Sequence, residues 1–281
     1  MAYRIGLSGG KEMRKYSATL QKHLGQYAAT RLGVTEHGVF KGGRYPHILP
    51  SRLRYLNLLE SSRAEIQTYL AKHPEIKLHQ YFHHLNSSQA FAFNLFYPYF
   101  AADSAVGRVL AKALGVNADV GDWKFEFVPD SAEGTNVDVF WFAGDGVRVF
   151  CEVKLSESEF GQAKDDPRHQ KKLETIYTPR LNGLVSEKLL APKTFFKHYQ
   201  LLRNISLLSD NPRDRLIFLM PGENESLKAP LQRVLENALS QTRRRIHVSY
   251  VEDCIESLEN SRKLPPALLA HAGALREKYV I

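Results

Sequence analysis

Apolar positions fall at helical spacing early in the chain and at strand spacing in its middle. Tyr16, Leu20, Leu24, Tyr27 and Leu32 recur three to five residues apart, which predicts a helix over about 11–31. Pro46 and Pro50 then interrupt the pattern, and a second helix is expected over about 51–71, ending before His73-Pro74. Asn86-Ser87-Ser88-Gln89 followed by AFAFNLFYPYF reads as the start of a buried helix, with Asn86 as N-cap and Gln89 closing a capping box. Three strand-like runs follow, over 124–128, 137–142 and 147–155. The last two flank Ala143-Gly144-Asp145-Gly146, a strong turn signal. A long polar stretch then covers about 156–192. Beyond it come a helix (193–209), a strand after Asn211-Pro212 (214–220), a helix (227–242) and a strand (245–251). The order α-β-β-β-α-β, then α-β, implies a mixed sheet with helices packed on it.

Composition narrows the class. The 281 residues are 43% hydrophobic and 24% charged, enough apolar surface for a real core in one large domain or two small ones. Disordered, collagen-like and disulfide-scaffold chains are excluded. Lys+Arg exceed Asp+Glu by 38 to 30, a formal charge of +8, which suits a polyanionic partner and says nothing about fold. Cys151 and Cys254 rule out a disulfide framework and a cysteine-only zinc site. Cys151 lies in an apolar run and reads as a buried free thiol, in keeping with a reducing compartment. The N-terminal segment MAYRIGLSGGKEMRKYS has no apolar stretch of signal-peptide length, and no run approaches a membrane span. A soluble, cytoplasmic protein with no membrane partner is expected.

The informative segment is 136–161, NVDVFWFAGDGVRVFCEVKLSESEFG, which carries an Asp, a Glu and a Lys on one hairpin. Residues two apart on a strand share a face, so Glu152 and Lys154 point the same way. A three-residue loop, Gly144-Asp145-Gly146, pairs Ala143 with Val147 and sets Asp138 opposite Glu152. A two-residue Asp145-Gly146 turn would pair Asp138 with Val153 and separate the carboxylates. Glycine at 146 suits the left-handed position of the longer loop, so the first register is the one expected. Opposed residues have Cβ atoms about 4.5–5.5 Å apart. Two carboxylates that close repel, and a hard divalent cation such as Mg²⁺ offsets the repulsion best. Lys154 beside the metal would orient or help deprotonate an attacking water, a design for phosphodiester hydrolysis. A bare Glu-x-Lys triplet arises about once by chance in such a chain. The weight rests on both carboxylates lying in strands either side of one tight turn, behind a helix.

Asp138 and Glu152-x-Lys154, on the second and third strands of an αβββαβ order, resemble the PD-(D/E)XK nuclease superfamily. RYPHILP (44–50), LNSSQAFAFNLF (85–96), CEVKLSESEFG (151–161) and YQLLRN (199–204) look like a prokaryotic, restriction-endonuclease-like group within it. The likeness covers roughly 40–255. One departure is Val137-Asp138 where the motif has Pro-Asp, at a position that varies widely. The resemblance implies an α/β fold: a restriction-endonuclease-like αβββαβ core (81–281), with a central mixed sheet flanked by helices, and a mainly helical N-terminal extension (1–80) packed on it. It implies that Asp138 and Glu152 hold the metal with the Val153 carbonyl as third ligand, and that Lys154 is the catalytic lysine. Gln89 would support the site from the side, its other reading being the capping box. Glu126 would add a carboxylate for a second metal, its other reading being a solvent-facing strand residue. Gln200 would reach the site from the helix after the motif, or face solvent.

Lys164, Arg168, His169, Lys171 and Lys172 cluster in the long polar stretch after the triad, where long loops tend to be functional or disordered. They are expected to contact the DNA backbone, the alternative being a solvated loop. Arg243, Arg244 and Arg245 form a second basic run, at a helix end where cations suit the dipole. Gly9-Gly10-Lys11 lacks phosphate-loop spacing and His83-His84 lacks partners for zinc, so both read as structural. The expectation is a Mg²⁺-dependent nuclease, with Mn²⁺ substituting, that cuts duplex DNA as a restriction-type endonuclease in defence. Cutting both strands favours a homodimer. The rivals are a structure- or end-dependent repair exonuclease and an inactive nucleic-acid-binding module.

Overall fold

The computed structural model describes residues 9–144 and 146–281, with the backbone alone for 9–14. Residues 1–8, part of the segment read for a signal sequence, and Asp145 of the hairpin turn lie outside the described residues. The described residues begin with α1 (Gly9–Thr30), in whose first turn Gly9-Gly10-Lys11 falls. A short hairpin of β1 (Gly38–Phe40) and β2 (Gly43–Tyr45) follows. Ser51–Asn57 is a 3-10 turn, and α2 (Glu60–Lys72) begins after it. The single helix expected over 51–71 is therefore broken, because Leu58 and Leu59 adopt extended backbone.

α3 (Ser88–Phe100) is apolar nearly all round, and ten of its residues are buried, so it runs through the interior. Its N-cap is Ser87, whose side chain accepts from the Ala90 amide, and not Asn86. α4 (Ser104–Ala113) has no counterpart among the expected elements; Asp103 caps it. The sheet strands are β3 (Val120–Phe127), β4 (Val137–Ala143) and β5 (Val147–Val153), then β6 (Arg215–Met220) and β7 (Ile246–Tyr250). They form one five-stranded sheet in the order β3-β4-β5-β6-β7. The first three are antiparallel neighbours and the last three run parallel, so the sheet is mixed.

Between β5 and β6 the polar stretch is not an open loop. It holds α5 (Pro167–Lys172), a π turn (Leu173–Tyr177), α6 (Thr178–Leu181), a 3-10 turn (Glu187–Leu189), α7 (Pro192–Lys197) and α8 (Tyr199–Ser206). Most of its sparse apolar side chains, among them Phe160, Leu173, Tyr177, Leu181, Leu184, Val185 and Leu189, are buried. The helix expected over 193–209 is split at His198, which leaves helical geometry. α9 (Glu225–Glu236) and α10 (Ser240–Arg243) likewise replace the single helix expected over 227–242. Two helices absent from the expected order close the chain, α11 (Val251–Glu259) and α12 (Pro266–Tyr279).

Strand alternation divides the interior into two cores, one on each face of the sheet. Val139, Trp141, Cys151 and Ile217 pack with Leu20, Phe91, Leu110, Ile255 and Leu275, that is with α1, α3, α4, α11 and α12. Phe140, Phe150 and Phe218 pack with Leu181, Phe195, Leu202 and Leu231, on α6 to α9. The protein is thus α/β, a mixed sheet with helices on both faces. Both cysteines are buried and free. Among the described residues no helix is long and apolar enough to cross a membrane.

A candidate hydrolytic site at the β3–β4–β5 edge

Ala143 pairs with Val147, the register expected from the longer turn, and Gly144 and Gly146 both take positive φ there (52° and 78°). The ladder continues to Val139↔Cys151, which brings Asp138 level with Glu152. On the other side, Phe125 pairs with Val139 and Phe127 with Val137, so Glu126 stands level with Asp138. Three carboxylates therefore lie in a row across β3, β4 and β5. Glu126 adopts φ 50°, a left-handed conformation that a non-glycine residue enters only against strain. The consequence shows in its neighbours. Phe125 packs in the first core and Phe127 against the second, although two strand residues apart should share a face.

Each carboxylate has distinct partners. Asp138 Oδ2 accepts the Val153 amide N–H at 2.7 Å; its other oxygen has no protein partner among the described residues. Glu152 is buried and accepts three hydrogen bonds. Its Oε1 accepts from Lys154 Nζ at 2.7 Å and from Gln200 Nε2 at 2.5 Å, and its Oε2 accepts from Asn204 Nδ2 at 2.8 Å. Arg203 lies 3.6 Å from Glu152 Oε2. Glu126 Oε1 accepts from Gln89 Nε2 at 2.8 Å, and Asn136 bonds its second oxygen. Gln89 also accepts the His79 amide and donates to the Lys77 carbonyl. That leaves no capping box, and it places Glu126 in the cleft instead of facing solvent.

Charge in the row is unequal. Burial pushes the Glu152 carboxyl up, but the Lys154 and Arg203 charges and the hydrogen bonds from Lys154 and Asn204 outweigh it and hold the group below its ordinary range. Burial raises Asp138 well above the ordinary value, and the Glu152 charge adds to the rise. Burial lifts Glu126 to about 7, against the Gln89 hydrogen bond and with the Glu152 charge. For Lys154, burial is outweighed by the Glu152, Glu157 and Asp138 charges, so its ammonium is held more firmly than usual. The arrangement is an ionised Glu152–Lys154 pair beside two carboxyls that resist losing their protons.

Glu126 and Asp138 line a cleft of about 850 Å³ together with Asn136, Ser156, Glu157 and residues of the 77–81 and 84–89 segments, whereas Glu152 and Lys154 are buried. Of the sequence-expected residues, the structure brings together Asp138, Glu152, Val153, Lys154, Gln89, Glu126 and Gln200. Asn136, Arg203, Asn204 and Glu157 were missed. Asn204 stands one helical turn after Gln200 on α8, and that i, i+4 spacing of two carboxamides was the available signal.

The basic cluster is less uniform. Lys164, Arg168 and Lys171 are exposed. His169 is half-buried against Phe196 and Tyr199, with Nδ1 2.9 Å from Asp166. Lys172 donates to the Glu133 carbonyl at 2.6 Å, an internal tie. Arg245, in the second basic run, is buried and donates to the carbonyls of Leu208, Asn211 and Asp214. It braces the turn before β6 and is unavailable to a ligand.

A family model described as "Restriction Endonuclease associating with ARP" matches residues 21–280. No curated protein and no solved structure matches the chain.

Proposed function

The chain belongs to this restriction-endonuclease family, and from that premise we propose that it is a divalent-metal-dependent endodeoxyribonuclease of the PD-(D/E)XK type. Its αβββαβ core would be α3, β3, β4, β5, α8 and β6. The observation that carries the reading is the row Glu126–Asp138–Glu152 with Lys154 bonded to Glu152.

Among the described residues no group of three or more His, Cys, Asp or Glu is set as a ready cage for a cation. Mg²⁺ does not require one, since it keeps several waters and takes one or two carboxylates plus phosphate oxygens. The donors fit: hard oxygens, one Asp138 oxygen without a protein partner among the described residues, and carboxyls that burial and, after it, the Glu152 charge raise at Asp138 and Glu126. Asp138 and Glu152 would hold the ion with the Val153 carbonyl, Glu126 would serve a second ion, and Mn²⁺ would substitute. A bound ion supplies a more acidic water and charge stabilisation at the scissile phosphate.

The protein's own groups do the rest. Lys154 keeps its proton at neutral pH, so it serves as a fixed positive charge that orients the attacking water and offsets charge on the phosphate. Gln200 and Asn204 fix both oxygens of Glu152, and Gln89 and Asn136 fix Glu126. Lys164, Arg168 and Lys171 would take DNA phosphates. Duplex DNA as substrate, a homodimer that cuts both strands, and a cytoplasmic defence role belong to the same proposal.

Plasmid DNA incubated with Mg²⁺, Mn²⁺ or EDTA, beside Lys154→Ala, tests it. Discrete products that need the metal and fall by at least about a thousandfold in the variant are expected, since a charge aimed at the transition state is worth several kcal/mol. End-resection would instead indicate a repair-type exonuclease. Inert wild type and variant that both still shift DNA would leave only the binding module.

A further inference from the structure

The β1–β2 hairpin is anchored by one face and presents the other to solvent. Phe40 pairs with Gly43 and Val39 with Arg44. Opposed residues share a face and successive ones alternate, so Val39 and Arg44 stand on the side away from Phe40. Phe40 is half-buried and meets Tyr81 and His84 edge-on at 5.2 Å and 5.4 Å. Tyr81 and His84 line the same cleft as Asp138 and Glu126. A bridge between Ile48 and His84 ties the segment after the hairpin to that wall as well. The hairpin is thus fixed to the rim of the cleft through Phe40.

Its free side is basic. Val39 is 55% exposed, and Lys41 and Arg44 are exposed beside it. Lys41 and Gly42 make the two-residue turn, with φ of 48° and 79°. Both central residues of such a turn take positive φ, which is why Asn-Gly is its usual pair. A lysine enters that conformation only against a steric cost that glycine escapes. The strain secures no ion pair or hydrogen bond: among the described residues the contact of Lys41 Nζ is with the Phe40 ring, 5.2 Å from its centroid. Arg44 makes one long bond, 3.4 Å to the His37 carbonyl. Glu36 does not neutralise the pair, because Arg52 binds both of its oxygens.

We propose that this hairpin is a ribbon that enters the major groove of duplex DNA beside the cut, with Arg44 and Val39 against base edges and Lys41 on a backbone phosphate. The proposal rests on the nuclease reading of the adjoining cleft. The major groove is about 12 Å wide and admits a two-stranded ribbon. Its edges offer guanine O6 and N7 to an arginine and the thymine methyl to an apolar side chain, the two residue types on the free face. A stable protein interface takes roughly 20–30 residues a side, far more than a ribbon of this size supplies. On DNA the remaining contacts would come from the cleft itself.

Lys41→Gly separates binding from folding, because its two effects have opposite sign. Glycine fits the left-handed turn, so the variant should keep or raise the melting temperature. Loss of one phosphate contact should lower the slope of log K against log salt by about 0.9. Arg44→Ala, at an exposed position, should leave melting unchanged and reduce the preference at one base position about ten- to hundredfold. Both are read with the full chain in EDTA, on duplexes carrying a randomised segment whose bound fraction is sequenced. A wild-type slope in Lys41→Gly, or wild-type base preference in Arg44→Ala, overturns the ribbon. So does loss of self-association on gel filtration with DNA binding intact, which would give the face to a second copy of the chain. Metal-dependent cleavage with unaltered binding in both variants sinks the ribbon and spares the nuclease; altered binding in a chain that never cuts does the reverse.

Discussion

Gln200 Nε2 donates to Glu152 Oε1 at 2.5 Å, from a helix that follows the motif strand after five intervening helical turns and segments. The bond is charge-assisted, and it shares its acceptor with Lys154. Removing it leaves Glu152 Oε1 tied to the lysine alone, with Asn204 still holding Oε2. Gln200→Leu is therefore expected to lower kcat about ten- to hundredfold with little change in KM, because a hydrogen bond to a charged group contributes about 1.5–3 kcal/mol. Gln200→Glu should be worse, since it sets a second carboxylate against a buried one. Steady-state cleavage kinetics of the two variants, beside their melting curves, check this; equal kcat for wild type and Gln200→Leu would remove Gln200 from the site.

The site was more legible than the frame around it. Asp138, Glu152 and Lys154 could be read because strand periodicity and one turn fix their relative positions, and the glycines at 144 and 146 decided the register. Gln200 came from the resemblance alone. Asn136 and Arg203 gave no sequence signal, since a polar residue in a loop or on a helix looks the same whether or not it turns inward. The helices depart from their periodicity where local backbone overrides it. His198 breaks one helix, extended Leu58 and Leu59 break another, and Ser87 takes the cap from Asn86. The stretch over 156–192 reads as a loop because its apolar residues are too few to show a period, yet Phe160, Leu173, Tyr177, Leu181, Leu184, Val185 and Leu189 are driven into the second core.

Stability should depend on metal most strongly at alkaline pH. Glu126 and Asp138 have raised pKa values, so the folded state holds protons that the unfolded chain has released. Stability from these groups is present below their unfolded values and is lost as pH rises through the folded ones, at up to about 1.4 kcal/mol per pH unit per proton. His47 and His84, lowered to about 4 by burial, act in the opposite direction between about 4 and 6.5. The carboxylate effect is therefore clean above about 6.5. Melting temperature in EDTA is expected to fall from pH 6.5 to 8, Mg²⁺ to restore it more at pH 8, and Glu126→Gln to flatten the decline. A Mg²⁺ shift that does not grow with pH would contradict the carboxylate row as the binding site.

Asn94 joins three parts of the fold at one buried point. Its Oδ1 accepts the Leu59 amide at 2.8 Å, and its Nδ2 donates to the Asn57 carbonyl at 3.0 Å and to the Tyr279 hydroxyl at 2.7 Å. Buried Lys278 donates to the same Asn57. Asn94→Leu would strand the Leu59 N–H in the interior, and each unsatisfied buried group costs about 1–3 kcal/mol. Destabilisation of about 3 kcal/mol is expected in urea unfolding, with the cleavage pattern of the remaining folded protein unchanged. A cost under about 0.5 kcal/mol would show that the three bonds contribute nothing net.

The basic segment separates into two roles that salt can distinguish. Arg168 and Lys171 are exposed, whereas Lys172 is tied to the Glu133 carbonyl, and Glu133 itself accepts from Thr135 and Tyr177. Each exposed cation that meets a phosphate adds about 0.9 to the slope of log K against log salt. Arg168→Ala with Lys171→Ala should thus reduce the slope by nearly two, weaken DNA binding equally across sequences and leave melting unchanged. Lys172→Ala should leave the slope alone and lower the melting temperature, because it frees the β3–β4 connection held at Glu133. If the double variant keeps the wild-type slope, α5 does not touch the DNA backbone. The phosphate contacts must then come from another face.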